Sequence, residues 1–372
     1  MLGVLELAGR GSGFLRRREA SYLPSNGDVH VGERLIRQYG LRTGDEIAGT
    51  VRPATKGKSP SLDQITEING RSPDLLKERP EFSRLGAVHP NEQLRLEIAP
   101  GSGQPDFTNR VIDLLSPLGK GQRALIVAPA KAGKTMVLQA IAQGVSRNYP
   151  AADLFILLVD ERPEEVFEME AAGVGEVVAS SFDNPAQRHV AVAELTLERA
   201  RRRVELGDDV VLIVDSLTRL ARAYNTVEKG TGRTLSGGLD AQSLEKPKRF
   251  LGSARKIDPS QGGGSLTIIA TALVDTGSKM DQVIFEEFKG TGNSELVLSR
   301  ELAERRVFPA IDLVASATRR EELLLADGAL AASRLLRQRI AGMTPINAMN
   351  DLLTDMRRQK TNEELIRALT AD

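Results

Sequence analysis

Residues 123–142, RALIVAPAKAGKTMVLQAIA, run an apolar strand into the loop Ala128-Pro129-Ala130-Lys131-Ala132-Gly133-Lys134-Thr135 and then into an amphipathic helix. Strand, loop and helix in that order are the context of a phosphate-binding P-loop. Backbone amides from Ala130 to Gly133 and the positive end of the helix would hold phosphate oxygens. Lys134 would reach the β and γ oxygens, and the Thr135 hydroxyl would ligate Mg²⁺. Ala128 stands where the common pattern has its first glycine, so the flanking strand and helix carry much of the specificity. The bland alternative is a Lys-Thr helix start that binds nothing.

Two further strand ends weigh against that alternative. The run VVLIVDS places Asp215 at the C-terminal edge of a buried strand, where a carboxylate would hold the water shell of Mg²⁺. The run LFILLVDERPEE ends in Asp160-Glu161-Arg162 at the same edge, so Glu161 can polarise a water for attack on the γ-phosphorus. Open parallel sheets bind their ligands at that edge. One strand-end acid is a weak signal, but three strand ends converging on one loop read as a nucleotide hydrolase.

Two polar loops add a second theme. Residues 228–238, EKGTGRTLSGG, carry Arg233, and residues 275–293, DTGSKMDQVIFEEFKGTGN, carry Lys279. Glycine-flanked loops with a central cation suit a nucleic-acid strand held by its phosphates, and each by itself is equally an ordinary solvated loop. Arg306 and Arg319 follow in SRELAERRVFPAID and ATRREELL. A guanidinium reaching over from a neighbouring copy would stabilise the charge on a transferring phosphoryl group. On chemistry alone, surface ion pairs are the simpler account of both.

These residues need a scaffold, and the pattern supplies one. From about residue 106 the chain alternates strand, glycine-rich turn and helix, which implies a mainly parallel sheet covered on both faces. Strands are expected at 124–127, 154–159, 176–180, 210–214 and 266–271. Helices are expected at 134–147, 164–171, 185–206 and 241–255, with a helical C-terminal end over 321–340 and 362–369. Ahead of this lie short alternating runs at 3–7, 13–16, 28–31, 46–51 and 64–68, broken by Gly, Pro and Asn. They read as a small β-barrel or sandwich of about five strands over residues 1–70. Residues 71–105, with five prolines, read as a linker over the surface. The expected fold class is therefore α/β, with a P-loop domain over 106–372.

Composition limits the rest. The 372 residues contain no Cys and only three His, which excludes thiol nucleophiles, zinc fingers and iron–sulfur clusters. Fifty basic residues balance fifty acidic ones, so any nucleic-acid partner must be recognised locally. Up to Lys58 ten basic residues face six acidic ones. No apolar run approaches the roughly 20 residues that cross a bilayer, and no signal peptide is visible. The expected location is the cytoplasm, with no membrane partner.

The runs LIVAPAKAGKTMV, VDERPEEV, VDSLTRLARAYNT, SLTIIATALVDTGSKMDQVIFEEFKGTG and VFPAID together resemble the bacterial transcription termination factor Rho family, over nearly the whole chain. The resemblance implies that the first domain is an OB-like β-barrel and the second a RecA-type P-loop ATPase domain. It also implies a homohexameric, RNA-dependent ATPase that binds nascent single-stranded RNA, moves 5′ to 3′ and dissociates the RNA polymerase elongation complex. It implies ATP between subunits, with Lys131, Lys134, Thr135, Asp215 and Glu161 on phosphates, Mg²⁺ and water. Arg162, with Arg306 and Arg319 of the adjacent subunit, would contact the γ-phosphate, while Met136 and Phe308 would pack on adenine. The loops of Arg233 and Lys279 would grip RNA in the pore.

The resemblance further makes the barrel a primary RNA site in which aromatic side chains stack bases. Phe14 and Arg16 fit that role, whereas Ser12 and His30 stand where the family usually shows aromatics. A core position for Phe14 is the alternative. Two rival functions remain open at this level: a ring helicase without a termination role, and an RNA-binding protein that uses nucleotide only for assembly.

Overall fold

A computed structural model describes the chain except for residues 55–58, 77, 78, 102–105, 229–233, 236 and 372. Arg233 therefore lies outside the described residues. The N-terminal strands β1 (Leu2–Leu7), β2 (Gly13–Arg16), β3 (Val29–Val31), β4 (Glu46–Arg52) and β5 (Ser61–Ile68) close into a barrel in the order β1-β2-β3-β5-β4. Helix α1 (Glu33–Tyr39) bridges β3 and β4. Alternation decides what goes inside: Leu5, Leu15, Val29, Val31, Ile47 and Ile68 fill the barrel, and their neighbours face out.

The stretch after the barrel departs from the expected linker. Leu76, Phe82, Leu85, Leu94 and Leu96 are buried, and β6 (Ala87–Val88) joins the main sheet. The prolines mark a chain that changes direction often, but its apolar residues still find cores to enter.

The second domain begins with α2 (Phe107–Leu115). It continues β7 (Arg123–Pro129), α3 (Lys134–Asn148), β8 (Asp153–Glu161), α4 (Pro163–Ala171), β9 (Glu176–Ser181), α5 (Ala186–Val204), β10 (Asp209–Asp215) and α6 (Leu217–Val227). A short hairpin of β11 (Thr234–Leu235) and β12 (Leu239–Asp240) precedes α7 (Glu245–Leu251), β13 (Arg255–Ile257), β14 (Ser265–Val274), α8 (Lys279–Lys289), β15 (Ser294–Val297), α9 (Arg300–Glu304) and β16 (Ala317–Thr318). Helices α10 (Asp327–Ile340), α11 (Pro345–Arg358) and α12 (Asn362–Thr370) end the chain. Among the described residues the main sheet has nine strands: a path β16-β15-β7-β14-β10-β8-β9, with β13 paired to β14 and β6 paired to β13. From β15 to β9 all pairings are parallel. Two apolar cores, one on each face, cover the central strands β7, β8, β10 and β14, which are buried along most of their length.

Three expectations change. The helix expected over 241–255 is a 3₁₀ turn, Ala241–Leu244, followed by α7 and then β13. Pro247 is tolerated only within the first turn of a helix, which forces α7 to start just before it. The expected loop over 275–293 is mostly α8, whose Ile284 and Phe288 are buried one turn apart. Helix α11 was not expected at all, although Met349, Leu352, Leu353 and Met356 form its buried face.

Helix α5 carries the seam between barrel and motor. Arg199 is buried there, with Tyr22, Glu46 and Glu176 all bonded to its guanidinium. Arg203 donates to the Asn69 carbonyl at 2.7 Å and to Asp153 at 2.7 Å. Gly44 presses its backbone into this seam at φ +93°, and a Cβ there would stand 2.4 Å from the Glu198 carbonyl carbon. Both conformation and space demand glycine. Gly44→Ala is expected to cost at least about 2 kcal/mol and to lower the melting temperature, read by thermal denaturation. An unchanged melting temperature would mean that the two domains do not pack this closely.

Candidate nucleotide and RNA sites

Strand β7 ends at Pro129, and the loop after it turns through Lys131 at φ +63° and Gly133 at φ +82° before α3 begins at Lys134. This places the open N–H groups of the first turn of α3 at the C-terminal edge of the sheet. Arg300 Nε donates to the Ala130 carbonyl at 3.2 Å and ties the loop to α9. A Cβ on Gly133 would lie 3.7 Å from Phe308, so that ring sits beside the loop. Met136 is 59% exposed on the first turn of α3, while Ala132 is buried and Thr135 half-buried.

Neighbouring strands bring the acids. Lys134 Nζ lies 2.6 Å from Asp215 Oδ1 at the end of β10 and 3.0 Å from Glu161 Oε1 at the end of β8. Thr271 of β14 donates to the same Asp215 oxygen at 2.7 Å. Glu161 faces inward because β8 is irregular: the register against β9 slips between Val159 and Glu161, and Asp160 adopts φ +57°. The slip re-aims the next side chain, as bulges beside active sites do. Asp160 itself turns outward, where its carbonyl accepts from Arg219 and its carboxylate lies 3.4 Å from the same guanidinium.

The electrostatics follow from crowding. Glu161 is 1% exposed, and burial, the Asp215 charge and a hydrogen bond with Glu165 push it up to about 8, against the pull of Lys134 and Arg219. Burial disfavours the Lys134 cation, but Asp215 and Glu161 outweigh it and raise Lys134 above its ordinary value. Carboxylate oxygens of Glu161, Glu165 and Asp215 all lie within 4.8 Å of one another, and Glu161 Oε2 is buried without a hydrogen-bond partner. Such a set is the oxygen-rich donor group that suits a hard divalent cation.

The arginines divide. Arg162 is exposed at the start of α4, beside the pocket. Arg306, at φ +58°, precedes Phe308 by two residues in the chain. Arg319 N–H donates to the Asn293 carbonyl at 2.9 Å, and burial together with the Arg319 charge depresses Arg123 at the opposite end of β7. Six residues of strand at about 3.3 Å each put the Arg319 backbone roughly 20 Å from its own loop.

Glu165, Arg219 and Thr271 escaped the sequence analysis. Glu165 stands in the quoted DERPEE run on the first turn of α4, directly after the strand that ends in Glu161, and that closeness in the chain could have flagged it. Arg219 and Thr271 become visible only when the strands are assembled.

The barrel and the pore loops are simpler. Leu15 is fully buried, so Phe14 lies on the outer face and is not a core residue. Its ring meets His30 edge-on at 5.6 Å between centroids, and Arg16 lies 5.3 Å above it. Arg16 is held by Glu6 at 2.6 Å and Asp28 at 2.5 Å. Lys279 is exposed at the first turn of α8, and Arg222 of α6 clamps that turn through Asp281 at 2.7 and 2.5 Å.

In the nucleotide-free protein the raised Glu161 binds a proton that the unfolded chain releases above about pH 4.5. Ionising it costs stability as pH climbs from there through about 8. Glu161→Gln should therefore melt higher than the parent at pH 9, with the gain shrinking toward pH 4.5. A gain independent of pH would contradict the assigned cause.

Comparison with known proteins places this geometry. Residues 108–318 match the ATP synthase alpha/beta family nucleotide-binding domain, and residues 1–74 match the Rho termination factor RNA-binding domain. Transcription termination factor Rho of Haemophilus influenzae is 52% identical over 368 residues, covering 99% of this chain and 87% of that protein. Its counterpart in Escherichia coli K12 is 53% identical, covering 97% and 86%. That of Gemmatimonas aurantiaca is 55% identical over 97% of this chain, which spans 49% of that longer protein. Among solved structures, the fold is similar to the assembled ATPase EscN of an enteropathogenic E. coli type III secretion system. The TM-score is 0.63 at 25% identity, covering 86% of this chain and 79% of that one. With a P-loop facing two strand-end acids and an aromatic-bearing barrel ahead of it, this chain belongs to the transcription termination factor Rho family.

Proposed function

We propose that the chain is an RNA-driven ATPase that assembles as a homohexameric ring, translocates 5′ to 3′ on nascent RNA in the cytoplasm and releases it from the RNA polymerase elongation complex. The observation that carries this reading is the split site. Lys134, Asp215 and Glu161 converge at one edge of the sheet, while Arg319 projects from the other edge, about 20 Å away. A closed ring of identical copies presents one subunit's Arg319 to the next subunit's loop.

The loop amides and Lys131, Lys134 and Thr135 bind the phosphates of ATP, and Phe308 and Met136 flank its base. Thr135 and Asp215 fit Mg²⁺, whose bound charge would neutralise the β and γ oxygens. Glu161 accepts a proton from the attacking water, and Arg162 lines the γ-phosphate side. The neighbour's Arg306 and Arg319 stabilise the charge that develops on the phosphoryl oxygens. Lys134, now paired with both acids, exchanges them for phosphate when ATP enters.

RNA enters by the barrel, where Phe14, with Arg16 above it, offers a stacking face, and passes the loops of Arg233 and Lys279. Arg222 gives those steps a physical link. Helix α6 starts directly after Asp215 and holds the Lys279 turn through Asp281. Movement at the metal-side acid thus reaches the RNA loop through one rigid helix.

Steady-state hydrolysis with poly(C), poly(U), mixed-sequence RNA and no RNA tests the reading, and strong stimulation by RNA is expected. The ranking of the polymers reports whether His30 and Ser12 weaken pyrimidine preference. Indifference to every RNA would remove the translocase. Glu161→Ala should bind ATP normally and lose turnover by about 100-fold or more; retained turnover would move the base to another residue.

A further inference from the structure

Away from the nucleotide pocket and the Phe14 face, arginines crowd a cleft of about 330 Å³ where barrel, connecting segment and motor meet. Arg42 reaches in from the barrel, Arg201, Arg202 and Glu205 from α5 and the turn after it, and Arg255 from the start of β13, around the buried Phe82 ring. Two acids also line the cleft, and both are committed: Glu81 lies 3.2 Å from Arg84. Glu205 accepts from the Phe82 N–H at 2.8 Å and pairs with Arg42 at 3.1 Å and Arg202 at 3.0 Å. Arg201 is taken by Glu198 and Ser253, both at 2.5 Å.

Arg255 is different. Among the described residues it has no carboxylate partner; its Nε donates only to the Ser253 carbonyl at 3.3 Å. Its guanidinium lies 4.7 Å from the Phe82 ring centroid, and that of Arg201 lies 5.4 Å from the same centroid. One aromatic ring thus holds two like charges close together, with Arg123 close enough to add to the repulsion. Arg255 is half-buried with its charge unmatched by a carboxylate among the described residues, and an incoming anion would supply that match.

We propose that this cleft binds a phosphoryl group, carried either by an RNA backbone or by a free nucleoside polyphosphate, and that the bound group ties the barrel to the motor. Guanidinium forks match phosphate oxygens in pairs, and Phe82 fixes two of them before the ligand arrives. The volume, near the lower limit of small-ligand pockets, admits a phosphate and part of its carrier but not a folded partner.

The test uses the full chain bearing Lys134→Ala, which silences the P-loop, with pyrophosphate as probe in calorimetry. Adding Arg255→Gln is expected to weaken pyrophosphate binding about tenfold while the unliganded melting temperature holds. In parallel, the salt dependence of binding to a single-stranded RNA is measured. A slope shallower by about 0.7 in Arg255→Gln would identify the RNA backbone as the source. Weakened pyrophosphate binding with an unchanged slope would identify the free nucleotide. Neither change, in a variant that melts like its parent, would overturn the proposal. Should Arg255→Gln unfold, Arg255→Lys keeps the charge without the fork, and undiminished binding of both probes would overturn it equally.

Discussion

The contact of the Lys134 ammonium with Asp215 and Glu161 is the interaction around which the motor domain is built. It exists only because β8, β10, β14 and β7 lie side by side in parallel, so that their C-terminal ends meet at one edge. Thr271 on the strand between β7 and β10 fixes the Asp215 oxygen that Lys134 touches. The outer acid arrives through the irregularity at Asp160, which costs a left-handed residue and gains a carboxylate facing inward. The crowded acids of the pocket are balanced by the Lys134 ammonium and the Arg219 guanidinium. Phosphate and a divalent cation would take over these partners from each other, so binding rearranges charge without exposing any of it.

The same economy of charge governs the join between domains. Arg199 and Arg203 are spent on the barrel and on the feet of β8 and β9, and Glu205 gathers Arg42 and Arg202. Buried ion pairs of this kind add little net stability, but removing one partner is costly, which favours a single relative placement of barrel and motor. On the proposed function, a fixed placement would keep RNA held at Phe14 in a constant relation to the turn of Lys279. Arg255 has no carboxylate partner among the described residues and stands outside that balance.

How much of this was legible in the sequence depends on how local each signal is. The P-loop, Asp215 and Glu161 are strand-end features of apolar runs, and they could be read directly because a run and its end are adjacent in the chain. The five barrel strands were legible for the same reason. Residues 275–293 misled because Gly and Lys dominate the eye, while the Ile284 and Phe288 spacing that makes α8 is sparse. The prolines of 71–105 suggested a surface linker, whereas burial of Phe82 and Leu96 depends on partners far along the chain. Arg219 and Thr271 entered the site only through tertiary register. The placement of Arg319 at the far edge likewise required β15 and β16, which no periodicity marked.

The central claim is that each active pocket is completed by a residue from another copy. The most direct measurement mixes two full-length variants, Lys134→Ala and Arg319→Ala, and follows single-turnover ATP hydrolysis in co-assembled rings with RNA. Each variant alone should be inactive. In the mixture, an Arg319→Ala subunit with an intact loop can receive Arg319 from a Lys134→Ala neighbour, so activity should return. Rings shown to contain both variants, yet with no recovered hydrolysis, would contradict the composite site.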